Sequence, residues 1–328
     1  MSNQSARQAS VRAVTGTTST YEGDFHALFD LAYIPVGDFN GRFLQWINQK
    51  LFTTYTDLPS AQTALAIANG VSDFNSLGTF DTATYLRTIF PSCVCDIDAT
   101  IAASYPGTGT AITSLAGIAA YDFTVTGNPV FTGTAGSKAA YFLMDGTGDR
   151  FGITAGNTDF LNNLGKTTGG ADYTVFLAFR FIQNDSAQAL WTTQTGSTAI
   201  GVTGQGGSNE SLQSVQGDGA TANSSSTAPA ALVTTTDYLI GIAHSHADNL
   251  TRLWVNSLTP TENTQNFNTE TDPASGAFTF MARPGGGSIV PNTTRFRGGY
   301  IFPFFADEDD VTKIYAHLSA RHNINYLA

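Results

Sequence analysis

Carboxylate pairs are the first chemistry to look for, because most sugar-cleaving enzymes place two acidic side chains on either side of the scissile bond. The chain of 328 residues has only five glutamates: Glu22, Glu210, Glu262, Glu270 and Glu308. None of these lies in a strongly strand-like segment, and no Glu-x-Asp-x-x-Glu spacing occurs. The sequence therefore predicts that the protein is not an enzyme, while a pair made of aspartates alone stays open.

Two histidines and two tryptophans are candidate ligand-binding residues. His244 and His246 alternate along one strand-like segment, a spacing that places both rings on one face. Two such ligands can begin a metal site, but no further ligands are spaced nearby, and a packed pair is the alternative. Trp191 and Trp254 offer flat faces to sugar rings, or else belong to the core, where aromatic side chains of strands usually pack.

An acidic turn is the one candidate for a metal ion. Asp145 and Asp149 flank a Gly-Thr-Gly turn and would supply two oxygen ligands to Ca²⁺. Calcium takes six to eight oxygens, and an Asp-Gly turn between strands explains the same residues without an ion. The sequence predicts no cofactor.

The elements that must position these residues are mostly strands. Only 12% of the residues are charged, against about 25% in ordinary soluble domains, and 12% are aromatic. From Pro91 onward, apolar residues recur with period two between turn clusters, a pattern typical of a β-sandwich or jelly roll. Eight segments fit: Cys93–Ile97, Ala139–Met144, Tyr173–Phe181, Ala189–Thr193, Tyr238–His246, Thr251–Asn256, Gly276–Ala282 and Tyr300–Phe305.

Both ends of the chain differ from this middle. After a polar arm (residues 1–20), helical periodicity predicts a small helical domain over residues 21–90, followed by the sandwich over residues 91–328. The last helix is predicted from the cap Asp307 and the apolar stripe that follows it. The N-terminal domain carries an apolar stripe that is a candidate docking surface: Phe39, Phe43, Trp46 and Ile47.

Charge and hydropathy narrow the range of partners. The formal net charge is −11, which disfavours nucleic acid, because that partner needs clustered lysine and arginine. No run of about 18 apolar residues predicts a membrane span, and the first 21 residues lack the apolar core of a secretion signal. We expect a protein made in a cytoplasm, without membrane insertion.

Several segments form a recognisable pattern. They read CDIDATIAASYPGTGTAITSL from Cys95, PVFTG from Pro129, AYFLMDG from Ala140 and YTVFLAF from Tyr173, and DDVTKIYAHL falls in the last helix. This pattern resembles the laminin-G-like or concanavalin-A-like domains of bacteriophage virion proteins. The resemblance implies a mainly β, concanavalin A-like jelly-roll sandwich with the C-terminal helix packed on it. It departs from calcium-dependent lectins, because no recognisable ligand set is present.

The N-terminal part extends the resemblance. The segments FNGRFLQWINQKL from Phe39 and YTDLPSA from Tyr55 are similar to N-terminal regions of phage structural proteins. In such proteins, an N-terminal unit commonly docks to the particle and the sandwich faces outward, where it binds glycans or decorates the surface.

The function predicted from these observations is a non-enzymatic virion component, with localisation in the virion. It would be a tail fibre, a tail-tip or neck appendage, or a capsid decoration protein. The predicted partners are other virion proteins, copies of itself (with a trimer as one option) and host surface polysaccharide, but neither nucleic acid nor membrane. The alternatives are a glycan depolymerase that uses the sandwich cleft and a stand-alone carbohydrate-binding adhesin.

Overall fold

The described part of the chain starts just before the predicted sandwich. The computed structural model describes residues 85–327, apart from positions 167, 182–187, 207–210, 229–231, 234, 265–271 and 289. From Ser92 onward these residues belong to one compact unit. Outside the described residues lie the predicted arm, nearly all of the helical domain and its four docking candidates, Phe39, Phe43, Trp46 and Ile47, which stay predictions.

Two antiparallel sheets make up this unit. The first holds, in spatial order, β14 (Thr261–Thr264), β13 (Leu250–Val255), β12 (Asp237–Ser245), β7 (Tyr173–Arg180), β16 (Arg295–Phe302), β5 (Tyr141–Leu143) and β4 (Val130–Thr132), with β1 (Cys95–Asp98) also paired to β16. The second holds β11 (Ala222–Ser226), β10 (Leu212–Gly217), β9 (Gly201–Gly206), β8 (Gln188–Thr192), β15 (Thr279–Phe280), β6 (Arg150–Ile153), β3 (Phe123–Thr126) and β2 (Ala111–Ile112).

The helices among the described residues are few and mostly short. They are α1 (Tyr85–Ile89), a 3-10 turn (Ala119–Tyr121), α2 (Asp159–Asn162) and α3 (Glu308–His322). Within the described part of the chain, no helix has the length and apolar character needed to cross a membrane. The prediction of a mainly β protein with one C-terminal helix is therefore confirmed.

The core lies between the two sheets, and period-two alternation explains it. On β7, Tyr173, Val175, Leu177 and Phe179 belong to the central apolar cluster, while the residues between them point to the opposite face. Facing side chains from the second sheet complete the cluster, among them Trp191. Each fully buried side chain of this size stabilises the fold by about 1.5–3 kcal/mol.

The opposite face of the first sheet, its outer face, is partly covered by α3. Asp307 caps this helix, and its carboxylate accepts a hydrogen bond of 2.9 Å from the Asp310 N–H. On the buried side, the ring of Tyr315 meets Phe176 edge-on at 5.9 Å, and its hydroxyl donates to the carbonyl of Leu239 at 2.6 Å. Strand residues of the outer face are thus buried beneath a helix.

A glycine on β12 makes this layer possible, and its substitution tests the packing. A Cβ at Gly241 would lie 2.5 Å from the ring of Phe176. We expect Gly241→Ala to lower the free energy of unfolding by about 1–3 kcal/mol through overpacking, measured by urea denaturation. Gly285→Ala is the control, because a Cβ there meets nothing within 4 Å. Equal midpoints for the two variants would contradict the tight packing of this layer.

Candidate functional site

A group of ionisable side chains is buried where β1, β16 and α3 meet. Arg321 donates from Nη1 to Asp96 Oδ1 at 2.6 Å and to Asp98 Oδ2 at 3.2 Å, and from Nη2 to Asp96 Oδ2 at 3.1 Å. His322 Nε2 lies 2.9 Å from Asp98 Oδ2, and the hydroxyl of Tyr300 donates to the same oxygen at 2.7 Å. We call these five residues the buried ion cluster.

Burial and pairing act in opposite directions on the pKa values of the two aspartates of the buried ion cluster. At Asp96 burial outweighs the attraction of Arg321, and the pKa is raised. Burial by itself would raise the pKa of Asp98, but the attraction of His322 and Arg321 outweighs it, so the pKa of Asp98 lies well below its ordinary value. Burial lowers the pKa of Arg321, but the two carboxylates raise it by more, so its pKa lies above the ordinary value. Because Arg321, Asp96 and Asp98 are at most 1% exposed, no substrate reaches them, and the cluster is structural. The alternation of Asp96 and Asp98 on one strand was its only sequence signal.

Removing the cation should leave the buried carboxylate of Asp96 without its arginine partner, while Asp98 keeps His322 and Tyr300. We expect Arg321→Met to lower the free energy of unfolding by about 3–5 kcal/mol in urea denaturation at neutral pH. Since the pKa of Asp98 is lower in the folded chain than its unfolded value of about 3.9, its contribution is present above about pH 4 and is lost as the pH falls further.

The control for this prediction is an ion pair on the surface. Lys313 pairs with Asp309 one turn apart on α3, where Asp309 is largely exposed. We expect Lys313→Met to change the free energy of unfolding by less than about 1 kcal/mol. A similar effect for Lys313→Met and Arg321→Met would show that the buried ion cluster does not hold β1, β16 and α3 together.

The two candidate histidines have different environments. His244 is buried on the core side of β12, with Nδ1 2.9 Å from the hydroxyl of Thr251. Burial, and then the charge of His246, lowers the pKa of His244 to about 3. His246 lies beyond the strand end and is partly exposed, and its backbone N–H donates to Asp172 at 2.6 Å. Among the described residues, no three histidine, cysteine or acidic side chains come together as a metal site.

The acidic turn is closed by its own hydrogen bonds. The carboxylate of Asp149 is buried and accepts from the N–H of Asn128 on Oδ1 and from the N–H of Asp145 on Oδ2, both at 2.7 Å. Burial raises the pKa of Asp149. Asp145 is exposed and accepts from the N–H of Thr147 at 2.6 Å. These bonds fit the turn interpretation, which accounts for Asp145 and Asp149 without an ion.

The two tryptophans also lie in different places. Trp191 is fully buried between the sheets and stacks on Phe278 at 5.8 Å, with an angle of 12° between the rings. The backbone at Gly204 passes so close to Trp191 that a Cβ there would lie 2.1 Å from its indole nitrogen. Trp254 lies instead on the outer face of the first sheet, where it stacks on Phe176 at 6.0 Å.

Trp254 forms part of the wall of an open cleft of about 580 Å³. The cleft lies at the edge of the first sheet, between β13, the segment leading into β14, and the N-terminal end of α3. Most of its lining residues have polar side chains, but more of the lining surface is apolar than polar. Trp254 itself is only 1% exposed. The lining residues are Arg252, Trp254, Thr259, Pro260, Glu262, Asp307 and Glu308.

Arg252 organises one side of the cleft. Its Nε donates to Glu262 at 2.7 Å, its Nη1 donates to the carbonyl of Ala306 at 3.2 Å, and its guanidinium lies 4.6 Å from the ring centroid of Phe305. Glu262 and Glu308 are both exposed residues. With one positive and three negative side chains, the cleft is acidic.

The cleft corrects an argument made from the sequence. Spacing along the chain placed no two glutamates together, and the absence of such a pair was the ground for predicting that the protein is not an enzyme. The structure brings Glu262 and Glu308 into one cleft, although 45 positions separate them. Strand and helix meet there through tertiary contacts, which a local spacing rule does not detect.

Comparison with known proteins finds solved structures with a similar fold. No family model and no curated protein matches the chain. A structure of botulinum neurotoxin type C, whose cell entry depends on two ganglioside molecules, has a TM-score of 0.50 at 11% identity over 71% of this chain and 53% of that one. The binding domain of botulinum neurotoxin DC in complex with SialylT has a TM-score of 0.50 at 13% identity over 69% and 52%.

Sialidases also appear among the similar structures. A Trypanosoma rangeli sialidase in complex with sialic acid has a TM-score of 0.49 at 12% identity over 70% of this chain and 33% of that one. The prediction that this protein is not an enzyme was wrong as drawn, because its ground, the absence of two glutamates that come together, fails in the cleft.

These similarities have a limited scope. The chain spans about half the length of the toxin structures and a third of the sialidase. None of the matches bears on the predicted virion role. At these identities the similarity shows the fold alone: this chain is a mainly β protein of two antiparallel sheets and one C-terminal helix, with the β-sandwich architecture of lectin-like domains.

Proposed function

We propose that this protein binds a glycan in the cleft beside α3. The observation that carries the proposal is the lining of this cleft, which sets the guanidinium of Arg252 and the carboxylates of Glu262 and Glu308 around one open volume. Planar charged groups form paired hydrogen bonds to neighbouring sugar hydroxyls, and such charge-assisted bonds are the strong ones. The lectin-like sandwich supports glycan binding in general, because a toxin binding domain of similar fold has been determined in complex with SialylT, whereas the preference for a class of sugar rests on the charge of this cleft alone.

The charge of the cleft selects the class of sugar. Glu262, Asp307 and Glu308 outnumber Arg252, and a carboxylate on the ligand would meet them at close range. Neutral or amino sugars avoid this repulsion and still accept and donate hydrogen bonds. The preferred ligand of the cleft is therefore a glycan segment without acidic groups.

Trp254 has a positioning role in this proposal. Its ring is covered by Phe176 and only 1% of the residue is exposed, so it offers no platform for stacking. Its indole nitrogen is buried and has no hydrogen-bond partner among the described residues. At 1% exposure this nitrogen is out of reach of a ligand, so Trp254 shapes the wall of the cleft and does not itself bind the glycan.

A matched pair of variants on α3 tests the cleft. We expect Glu308→Gln to weaken binding of neutral oligosaccharides by about tenfold or more, because a charge-assisted hydrogen bond is lost. Asp309→Asn is the control, since Asp309 is the next residue but does not line the cleft. Ligands are first found on a glycan array and then measured by calorimetry. Equal affinities for the two variants, or binding only to acidic glycans, would overturn the proposal.

Hydrolysis of the bound glycan is a second candidate function, favoured by the presence of two glutamates in one cleft. Glu262 and Glu308 provide the two carboxyl groups that glycosidases require. The test is incubation of the protein with the oligosaccharides that it binds, followed by measurement of new reducing ends. Hydrolysis requires that Glu262→Gln and Glu308→Gln each abolish the release, whereas no release by the unmodified protein supports binding alone.

The sequence resemblance extends the proposal to a virus particle. On this proposal, residues 1–90 anchor the protein to other virion proteins, and the sandwich presents the cleft to host surface polysaccharide. We expect deletion of residues 1–90 to abolish incorporation into particles, measured by immunoblotting of purified virions. Incorporation of the truncated chain at the normal level would contradict the anchoring role.

A further inference from the structure

A second polar surface lies on the outer face of the first sheet, away from the cleft. In the register of the sheet, Arg180 on β7 stands opposite Asp237 on β12 on one side and opposite Arg295 on β16 on the other. Arg297 follows at a β-bulge in β16, and Tyr141 on β5 lies beside both β16 arginines. We call these five residues the arginine patch.

The arginine patch has more positive charge than its one acid neutralises. Asp237 accepts hydrogen bonds from both Arg180 and Arg297. Arg295 has no acidic partner among the described residues, and its guanidinium lies 4.8 Å from the ring centroid of Tyr141. Like charges directly opposite each other on neighbouring strands are destabilising, and Arg180 faces Arg295 in this way. With three arginines and one aspartate, the patch therefore keeps an excess of positive charge that a bound anion would reduce.

The three arginines differ in how much of each side chain is exposed to a ligand. In each of the three arginines, Nε is buried and has no partner among the described residues. Arg297 is held in place, with its side chain 8% exposed, whereas that of Arg180 is 28% exposed. Ten lysines and arginines occur after position 91, and three of them meet here in a segment whose net charge is −9. Such a concentration is unexpected for a surface that only keeps the protein in solution.

Beside the charged groups lies an apolar strip of the same register row. Leu143 on β5 stands opposite Arg295, and Val130 on β4 stands opposite Leu143. Val130 is 58% exposed and Leu143 is partly exposed. Across five neighbouring strands, this row thus carries two apolar side chains, then two arginines and then an aspartate. This order of apolar and charged groups matches a sugar ring that bears a carboxylate.

We propose that the arginine patch binds the carboxylate of a uronic acid residue in a glycan. The forked guanidinium groups of Arg295 and Arg180 match a carboxylate through paired hydrogen bonds, and the sugar ring lies over Leu143 and Val130. The net charge of −11 opposes long polyanions, while the local positive charge acts within a Debye length of about 8 Å. The fitting ligand therefore spaces its acidic sugars with neutral ones.

This site is distinct from the cleft. Asp237 of the patch and Ala243, the strand partner of the cleft residue Arg252, are six positions apart on β12, which corresponds to about 20 Å. The two sites also prefer opposite charge, since the cleft is acidic and the patch is basic. Variants of one site should leave binding at the other unchanged, so the failure of one proposal is distinguishable from the failure of the other.

The test uses the full chain and a hyaluronan tetrasaccharide, in which uronic acid and neutral sugars alternate. We expect Arg295→Gln to weaken its binding by about tenfold or more in calorimetry, because a charge-assisted contact is lost. Arg295 has no ion pair to break, so the fold should be retained. Arg150→Gln, on the second sheet, is the matched control and should bind as the unmodified protein does.

A second variant introduces a carboxylate into the arginine patch. Leu143→Glu places an acid opposite Arg295 in the sheet, so we expect it to raise the melting temperature and to abolish tetrasaccharide binding. Three results would overturn the proposal: no binding by the unmodified protein, equal loss for Arg295→Gln and Arg150→Gln, or unchanged binding of a carboxyl-reduced tetrasaccharide. Inorganic sulfate that competes as well as the tetrasaccharide would also overturn it, because it would show a general anion site.

Discussion

The buried ion cluster is the constraint on which the rest of this structure depends. Arg321 and Asp96 are separated by 225 residues, yet their side chains share two hydrogen bonds at full burial. Charges that are buried away from water need partners of opposite charge. These partners are in place in only one mutual arrangement of the first strand of the sandwich, the central strand β16 and the last helix. This arrangement fixes the position of α3 on the outer face of the first sheet.

The position of α3 in turn decides which parts of the outer face stay open. The helix buries the middle of the face, where Tyr315 meets Phe176, and leaves a surface at each end. At the N-terminal end of the helix, Asp307 and Glu308 complete an acidic cleft with Arg252 and Glu262. Elsewhere on the face, Arg180 and Arg295 stay partly exposed. Two surfaces of opposite charge on one sheet suit a glycan-binding protein whose ligands differ in charge.

Local pattern predicted some strands well and missed others. Period two located β7 and β12 to within a few residues. On β16 the prediction began at Tyr300, but the strand begins at Arg295, because two arginines and two glycines hid its first half and a β-bulge interrupts its alternation. The Gly- and Ser-rich tract between residues 196 and 229 contains β9, β10 and β11. These strands owe their form to sheet pairing and to packing against Trp191, which single-residue preferences do not encode.

The sequence by itself determined the features that depend on neighbours along the chain: a mainly β middle with period-two strands, and a capped C-terminal helix with one apolar stripe. Only the tertiary structure decided which side chains meet, because sheet pairing and helix docking join residues that are tens to hundreds of positions apart. It placed Trp191 in the core and Trp254 beside the cleft, and it brought Glu262 to Glu308. The chemistry of the surface follows from these long-range contacts, and spacing along the chain carries no record of them.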